Sequence, residues 1–329
     1  MEVLVATPLR HSAVSRPYTF GYGISIRELS PIRWDVAIAK STVSEQERET
    51  LAATKYWLVA AQEYEHVYGS VGEELYERAL AAAMALQIIC PTGALHTFLK
   101  FQHTPTGWDN IGSLQPKQLC STLLGRITNL EAQGLDQFDT IYQGIRRATQ
   151  DHLVRIQNPV LLLEHGQQIG NPPLGNLMFV MGLDVLFMAG ENRVFVQRLG
   201  GFMGLDTLLF PPGGLQDRQP ATMVRDILSD VYELRNIIGH GHEIPKTPYR
   251  EPYALRSTNG EQINHQPLVY TDVLLEASLF LLTGALRKLF TQGLYDMVAD
   301  PKKWKAQLTI YEHRFKNAGG IAPAKSAGR

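Results

Sequence analysis

Apolar residues alternate with polar or small ones near the N-terminus, a pattern that predicts β-strands. Ile32, Trp34, Val36 and Ile38 follow one another at intervals of two residues, which is the repeat of a strand with one buried face. The preceding segment, Tyr18–Ile26, is aromatic and rich in glycine, as is typical of a strand or a hairpin arm. The N-terminal segment is therefore expected to form a β-arm or a small sheet.

Helical periodicity dominates the rest of the first half. Ser44 can cap a helix whose first turn is acidic, and this helix is expected to continue to about Tyr64. Further helices are predicted over 71–89 and 135–156. The intervening residues 92–118 contain many turn formers and are expected to be irregular.

Two turn-rich sites divide the chain. Asn158-Pro159 predicts a first break, and the run Gly170-Asn171-Pro172-Pro173 predicts a stronger one. We therefore expect an N-terminal region over 1–170, a helical domain over 171–315 and a disordered polar tail over 316–329. The helices predicted in the second domain are Leu174–Ala189, Asn192–Met203, Ala221–Ile238 and Asp272–Phe290.

Composition and charge restrict the classes of function. The formal net charge is -1, so a long nonspecific nucleic-acid track is disfavoured and any RNA contact needs a local patch. Charged residues make up 19% of the chain, below the usual ~25%, which suits a face covered by a partner. Cys90 and Cys120 form no C-x-x-C pair. No apolar run reaches the ~20 residues of a membrane helix, so we expect a cytoplasmic chain without a membrane partner.

The segment from Asp226 to His242 carries the candidate chemistry. On a helix, its apolar residues form one stripe that is expected to face the core; they are Ile227, Val231, Leu234 and Ile238. Glu233, Asn236 and His240 are near neighbours on the opposite, polar side. Glycines flank the histidine on both sides, so the helix is expected to end there.

The run Leu234–Gly241, LRNIIGHG, resembles the signature of the HEPN superfamily. That signature is an arginine followed by a polar residue and, after a short spacer, a histidine; here these are Arg235, Asn236 and His240. The resemblance covers about residues 174–290 and extends to the order and length of the predicted helices. Asp184 stands where relatives often carry an acidic residue, and Tyr232 before the motif also fits. The pattern is most similar to the ApeA-like branch, which is associated with bacterial phage defence.

The resemblance implies a helical bundle with metal-independent endoribonuclease activity and no cofactor. His240 would take the proton from a ribose 2′-hydroxyl, and the oxyanion would attack the adjacent phosphorus to give a 2′,3′-cyclic phosphate. Arg235 would hold the phosphate through its guanidinium fork. Asn236 would orient the phosphate or the histidine. From spacing alone we add Glu233 as a group that fixes the imidazole tautomer, with Tyr232 as a further supporting residue.

Other functions stay open at the level of the sequence. Many HEPN-like domains are inactive scaffolds or nucleotide binders, so a non-catalytic binding module is the main alternative. His240-Gly241-His242-Glu243 resembles an H-x-H metal pair, but no third ligand has clear spacing, so no metal site is expected. In the plain structural interpretation Arg235 is an ion-pair partner and His240 a helix cap.

Three further groups of residues complete the picture. In the proline-rich loop, the cations Lys246, Arg250 and Arg256 alternate with tyrosines, which suits single-stranded RNA, although an ordinary surface loop is slightly favoured. The lysines of 302–305 predict a solvated helix face. The glycines of 200–204 are predicted to allow two helices to pack closely. The methionines of 178–188 are predicted to fill the core.

A homodimer is expected because Arg235 and His240 of one continuous helix cannot easily reach the same phosphate. Arg235 and His240 are five positions apart, so on a continuous helix they point about 140° from one another. Either His240 swings out where the helix ends, or a second chain supplies the missing group. HEPN relatives commonly dimerise across such a cleft. We therefore expect a shared site in a defence or toxin-like effector whose N-terminal region responds to a protein or small-molecule trigger.

Overall fold

The computed structural model describes residues 2–9, 12–33, 49, 51, 53–63, 73–91, 98–114, 128–130, 134–169, 171–209, 223–244 and 270–321. The chain is mainly helical, as predicted, with a mixed sheet near its N-terminus. It divides into two compact units, residues 1–146 and 147–329. This division does not coincide with the boundary expected at residue 170.

The helices in the described part of the chain, named in order, are α1 (Glu73–Ile89), α2 (Phe138–Gln150), α3 (Val154–Gln168), α4 (Pro172–Phe187), α5 (Asn192–Met203), α6 (Val224–Gly239), α7 (Tyr270–Thr291), α8 (Tyr295–Ala299) and α9 (Pro301–Asn317). The strands are β1 (Glu2–Pro8), β2 (Ser12–Ala13), β3 (Tyr18–Thr19), β4 (Ile24–Glu28), β5 (Ile32–Arg33), β6 (Tyr56–Glu63), β7 (Phe98–Thr104), β8 (Gly107–Leu114) and β9 (Thr128–Asn129).

The first unit is built on a seven-stranded sheet with the order β3-β4-β6-β1-β7-β8-β5. The central strand β1 is antiparallel to both β6 and β7, and the short strands β2 and β9 pair separately in parallel. Leu4, Trp57 and Phe101 are fully buried in its core. The predicted arm at 18–26 is confirmed as the antiparallel pair β3–β4, but the sheet is larger than predicted. The alternating positions after Arg33 lie outside the described residues.

Two predictions for the first unit are wrong. The helix expected to reach Tyr64 is replaced over Tyr56–Glu63 by strand β6, whose run Tyr56–Ala60 is buried throughout. Such a run has no polar face, so it fits a strand covered on both sides. The irregular segment expected over 92–118 contains the antiparallel pair β7–β8, joined by a tight turn at Pro105-Thr106. The helix predicted over 71–89 is confirmed as α1.

The break expected at Asn158-Pro159 is also wrong, because Pro159 lies inside α3. The predicted helix over 135–156 ends instead at Gln150, and α3 begins at Val154 after His152, whose φ is +50°. Helix α3 packs tightly on α4: a Cβ built on Gly166 would lie 2.4 Å from the ring of Phe179. This close packing explains why α3 belongs to the second unit.

Helices α4 to α7 confirm the four segments predicted for the second domain. The chain then continues through α8 and α9, and α9 runs two residues into the tail expected from 316. The predicted close packing at the glycines is confirmed, because a Cβ on Gly201 would overlap the backbone carbonyl of Tyr311 in α9. Within the described ranges no single helix is long and apolar enough to cross a membrane; the pair α4–α5, bent by 75°, meets the length and composition criteria together.

Candidate functional site

Helix α6 positions the motif on the second unit. Ile227, Val231 and Leu234 are buried as predicted, whereas Ile238 is half-buried. Glu233 and His240 are exposed on the other side of the helix. The apolar stripe thus fixes how α6 lies on the bundle, and its polar residues stay accessible.

The end of α6 is a Schellman turn around His240. The N–H of His242 donates to the carbonyl oxygen of Ile237 (2.9 Å), and the N–H of Gly241 donates to that of Ile238 (3.1 Å). Gly241 has a φ of +71°, the left-handed conformation that favours glycine. His240 is the capping residue and lies beyond the last helical residue, Gly239. The predicted helix end is confirmed; the N–H of His240 still donates to the carbonyl oxygen of Asn236 at 2.9 Å, and the chain leaves the helix after His240, at Gly241.

Arg235 is held by three neighbours. Its Nη2 lies 3.6 Å from Oδ2 of Asp184 on α4, and its Nη1 donates to Oδ1 of Asn236 at 3.0 Å. The guanidinium carbon stands 5.3 Å from the ring centre of Tyr232, a cation–π contact. The ion pair between Arg235 and Asp184 therefore connects α6 to α4.

Asp184 is an unusual partner for an arginine because it is poorly solvated. Its side chain is 15% exposed, and burial raises the pKa of Asp184 to about 6, although the charge of Arg235 lowers it. Oδ1 of Asp184 and Nε of Arg235 are buried and have no hydrogen-bond partner within the described residues. Protein groups of the described residues therefore satisfy the pair only in part.

The ring of Tyr232 lies beneath the guanidinium of Arg235. Tyr232 is buried, and its ring lies 4.9 Å from the ring of Phe195 on α5. Burial, and then the charge of Asp184, raise the pKa of Tyr232, which Arg235 opposes. A neutral phenol beneath the guanidinium supports Arg235 without competing for its charge.

The other predicted site residues are less closely assembled. His240 has its ring 6.2 Å from that of His242, and within the described residues no hydrogen bond joins it to Arg235 or to Glu233. The expected tautomer contact of Glu233 is therefore not made within one chain. Lys246, Arg250 and Arg256 lie outside the described residues, as do the tyrosines between them.

An apolar stripe on α4, which we call the α4 stripe, borders this site. Its members follow alternating spacings of four and three residues, are exposed or half-exposed, and are Leu174, Met178, Met181, Val185 and Met188. Met181 and Met188 are 40% and 42% exposed, so the prediction that these methionines fill the core is wrong. Asp184 immediately precedes Val185, and Leu177 next to Met178 lies under Gly239 of α6. A molecule bound on the stripe would therefore sit beside the motif.

Among the residues described, no group of three or more histidine, cysteine, aspartate or glutamate side chains is placed to hold a metal ion. Comparison of the chain with protein-family models, curated proteins and solved structures finds no significant match. In the sequence, Asp184 was singled out only through the resemblance, as a position where relatives often carry an acidic residue; no spacing rule linked it to Arg235.

Asp184 should make the stability of the fold depend on pH. Because its pKa in the folded chain, about 6, exceeds the ordinary 3.8, the folded state loses stability as the pH rises through 6 and the carboxyl ionises. Asp184→Asn removes that loss. We expect the melting temperature of the variant, relative to wild type, to be higher at pH 7.5 than at pH 4. A difference that stays constant over this range would show that Asp184 titrates normally.

Proposed function

We propose that the chain is a metal-independent endoribonuclease of HEPN type that works as a homodimer. The observation that carries the proposal is the arrangement around Arg235: a guanidinium held by Asp184, Asn236 and Tyr232, five residues before an exposed histidine at the helix end. A cation that can bind phosphate and a group that can accept a proton are the two requirements of this reaction.

In the proposed mechanism His240 accepts the proton of a ribose 2′-hydroxyl. The 2′-oxygen forms a bond to the adjacent phosphorus, the bond from phosphorus to the 5′-oxygen breaks, and the 5′-oxygen leaves with a proton. The products are a 2′,3′-cyclic phosphate and a 5′-hydroxyl. Arg235 stabilises the charge that develops on the phosphate oxygens, and the weakly satisfied pair with Asp184 lets the guanidinium exchange the carboxylate for phosphate. Asn236, bonded to Arg235 through Oδ1, orients that guanidinium.

A second candidate function is a non-catalytic HEPN-like scaffold. The ion pair between Arg235 and Asp184 favours this function. Because Arg235 already has a carboxylate and an amide as partners, it can serve to hold the helices together without binding phosphate. The two functions differ in what Arg235 does when RNA is present. For either one, a role in phage defence or as a toxin-like effector, with a trigger acting on the first unit, remains part of the proposal.

The deciding experiment is a cleavage assay of the purified chain in excess EDTA. We expect cleavage of single-stranded RNA to persist and to leave 2′,3′-cyclic phosphate ends. These ends are recognised in an end-labelling assay by their resistance to phosphatase. An RNA with a single 2′-deoxyribose should resist cleavage at that nucleotide, because the nucleophile is missing. RNA that stays intact under all conditions would favour the scaffold, and cleavage that needs a divalent metal would contradict the assigned mechanism.

A further inference from the structure

One face of α9 carries only cationic charges. Its charged residues that are exposed, which we call the α9 basic face, are Lys302, Lys303, Lys305, Arg314 and Lys316. The one acidic residue of α9, Glu312, is turned away to Arg198, with Oε1 2.7 Å from Nε. Asp300, which caps the helix, lies 3.6 Å from Nζ of Lys303. Within the described residues the other lysines and Arg314 have no carboxylate partner. A chain with a net charge of -1 thus concentrates positive charge on one helix.

The rest of α9 fixes this face on the second unit. Its opposite side is buried, through Trp304, Leu308, Tyr311 and Phe315. Nε1 of Trp304 donates to the carbonyl oxygen of Leu186 at 2.7 Å. Because Gly200 and Gly201 allow α5 to approach α9 closely, the cations stand on a packed helix and not on a mobile tail. A fixed array of cations raises the local potential more effectively than scattered ones.

The cationic surface extends from α9 to the neighbouring Lys288 on α7. Nζ of Lys288 donates to the carbonyl oxygens of Phe202 (2.6 Å) and Met203 (3.3 Å). Burial lowers the pKa of Lys288, and the nearby charge of Arg314 lowers it further. Two like charges are therefore held close together, an arrangement that an external anion would relieve.

The chemistry of the face favours a polyanion over a lipid surface. A helix that lies in a membrane interface buries an apolar face in it, but the apolar side of α9 is occupied by the bundle. Ile310, 47% exposed, is the one large apolar side chain on the accessible side of α9. Two groups of cations, at 302–305 and 314–316, with little exposed apolar surface suit a chain of phosphates.

A single helix, α5, separates the α9 basic face from the motif. Phe195 of α5 contacts the ring of Tyr232 beneath Arg235, and Arg198 of the same helix pairs with Glu312 of α9. The cations point away from α5, so the path from them to the motif also crosses α9 itself and is about 20 Å, two helix diameters; a flexible single strand of several nucleotides can span it. We propose that the α9 basic face binds the phosphate backbone of single-stranded RNA and holds the substrate while Arg235 and His240 act on a bond several nucleotides away. This inference rests on the proposed function for the role of the bound RNA.

The test measures binding separately from cleavage. In a His240→Ala background, the affinity for a fluorescent single-stranded RNA is measured by anisotropy over a range of salt concentrations, for the chain with and without Lys302→Gln, Lys303→Gln and Lys305→Gln. We expect the triple substitution to weaken binding about tenfold and to reduce the slope of log affinity against log salt by about 2, since each phosphate contact on a single strand contributes about 0.7. A matched control removes three exposed cations of the first unit through Arg16→Gln, Arg33→Gln and Lys55→Gln, and it should bind as the parent chain does.

Each outcome decides between the sources of binding. Equal losses in both triple variants would show a general charge effect and overturn the proposal, as would unchanged affinity or an absence of RNA binding. If vesicles with 30% phosphatidylserine bind through these lysines while RNA binding is unaffected, the occupant is a lipid surface and the proposal is wrong. Loss of RNA binding in the α9 variant, with no cleavage by the chain that retains His240, would uphold the docking surface and reject the ribonuclease.

Discussion

Replacing His240 with alanine is expected to slow RNA cleavage by about 10²–10⁴-fold, the usual contribution of a general base. The loss should leave folding unchanged, because His240 is exposed and lies beyond the last residue of α6. His242→Ala is the matched control: it is also an exposed histidine, with its ring 6.2 Å from that of His240. Single-turnover rates on one RNA, with thermal melts of each variant, measure the effect. Equal losses in both variants would contradict the assignment of His240.

Arg235→Ala should reduce cleavage by about 10²–10³-fold, as the loss of one donor to a developing anion does. This variant also removes the cation beside Asp184, whose pKa should then rise further because only burial remains. A raised pKa favours the neutral carboxyl, which limits the cost to the fold. The double variant Arg235→Ala with Asp184→Asn removes the acid as well. If that double variant regained cleavage, Arg235 would act through folding and not through phosphate.

The helices of the second unit were predictable because their apolar positions recur at helical intervals between strong breakers. Helix α5 spans the predicted residues Asn192–Met203 and ends at Gly204, which has a φ of +94°. The end of α6 was predictable because Gly239 and Gly241, which flank His240, are helix breakers of the same kind. Strand β6 was missed because a run that is buried on both sides has no polar face to reveal its period.

The candidate site was predictable only along one helix. Arg235, Asn236 and His240 follow from the local motif, but the contact with Asp184 joins two helices, and no rule of sequence spacing specifies such a pair. The α4 stripe was missed for a different reason. Helix α4 is apolar almost all round, so its sequence does not tell which apolar side is buried and which is left accessible.

The α4 stripe supplies the best surface for the proposed homodimer. Exposed apolar side chains grouped along one helix indicate a protein contact, and spacings of four and three residues suit helix-to-helix packing. The polar side of α6 carries the exposed Glu233 and His240 in place of apolar groups. A two-fold contact through α4 would place the second copy next to Arg235 and the helix end, because Asp184 and Leu177 link α4 to α6.

Met181→Asp should therefore dissociate the dimer. Met181 is in the middle of the stripe and 40% exposed. Fully burying a methionine contributes about 1.5–3 kcal/mol. Covering the exposed 40% of Met181 in both copies therefore contributes about 1–2.5 kcal/mol, so the dissociation constant should rise by about tenfold or more. Leu208→Asp, at an equally exposed apolar residue outside the stripe (42%), is the matched control and should stay dimeric. Light scattering at micromolar concentrations distinguishes the dimer from the monomer. A wild-type chain that is monomeric and fully active would contradict the proposed dimer.

Mixing variants tests whether the dimer shares its active sites. If each site takes Arg235 from one copy and His240 from the other, equal amounts of Arg235→Ala and His240→Ala chains should recover about a quarter of the wild-type rate, since half of the dimers are mixed and each has one intact site. Adding Met181→Asp to both chains should abolish this recovery, because mixed dimers no longer form. Recovery that survives Met181→Asp would mean that the copies meet through another surface. No recovery in a mixture of proven heterodimers would mean that each chain holds a complete site, in which the turn at His240 brings the imidazole to the phosphate held by Arg235.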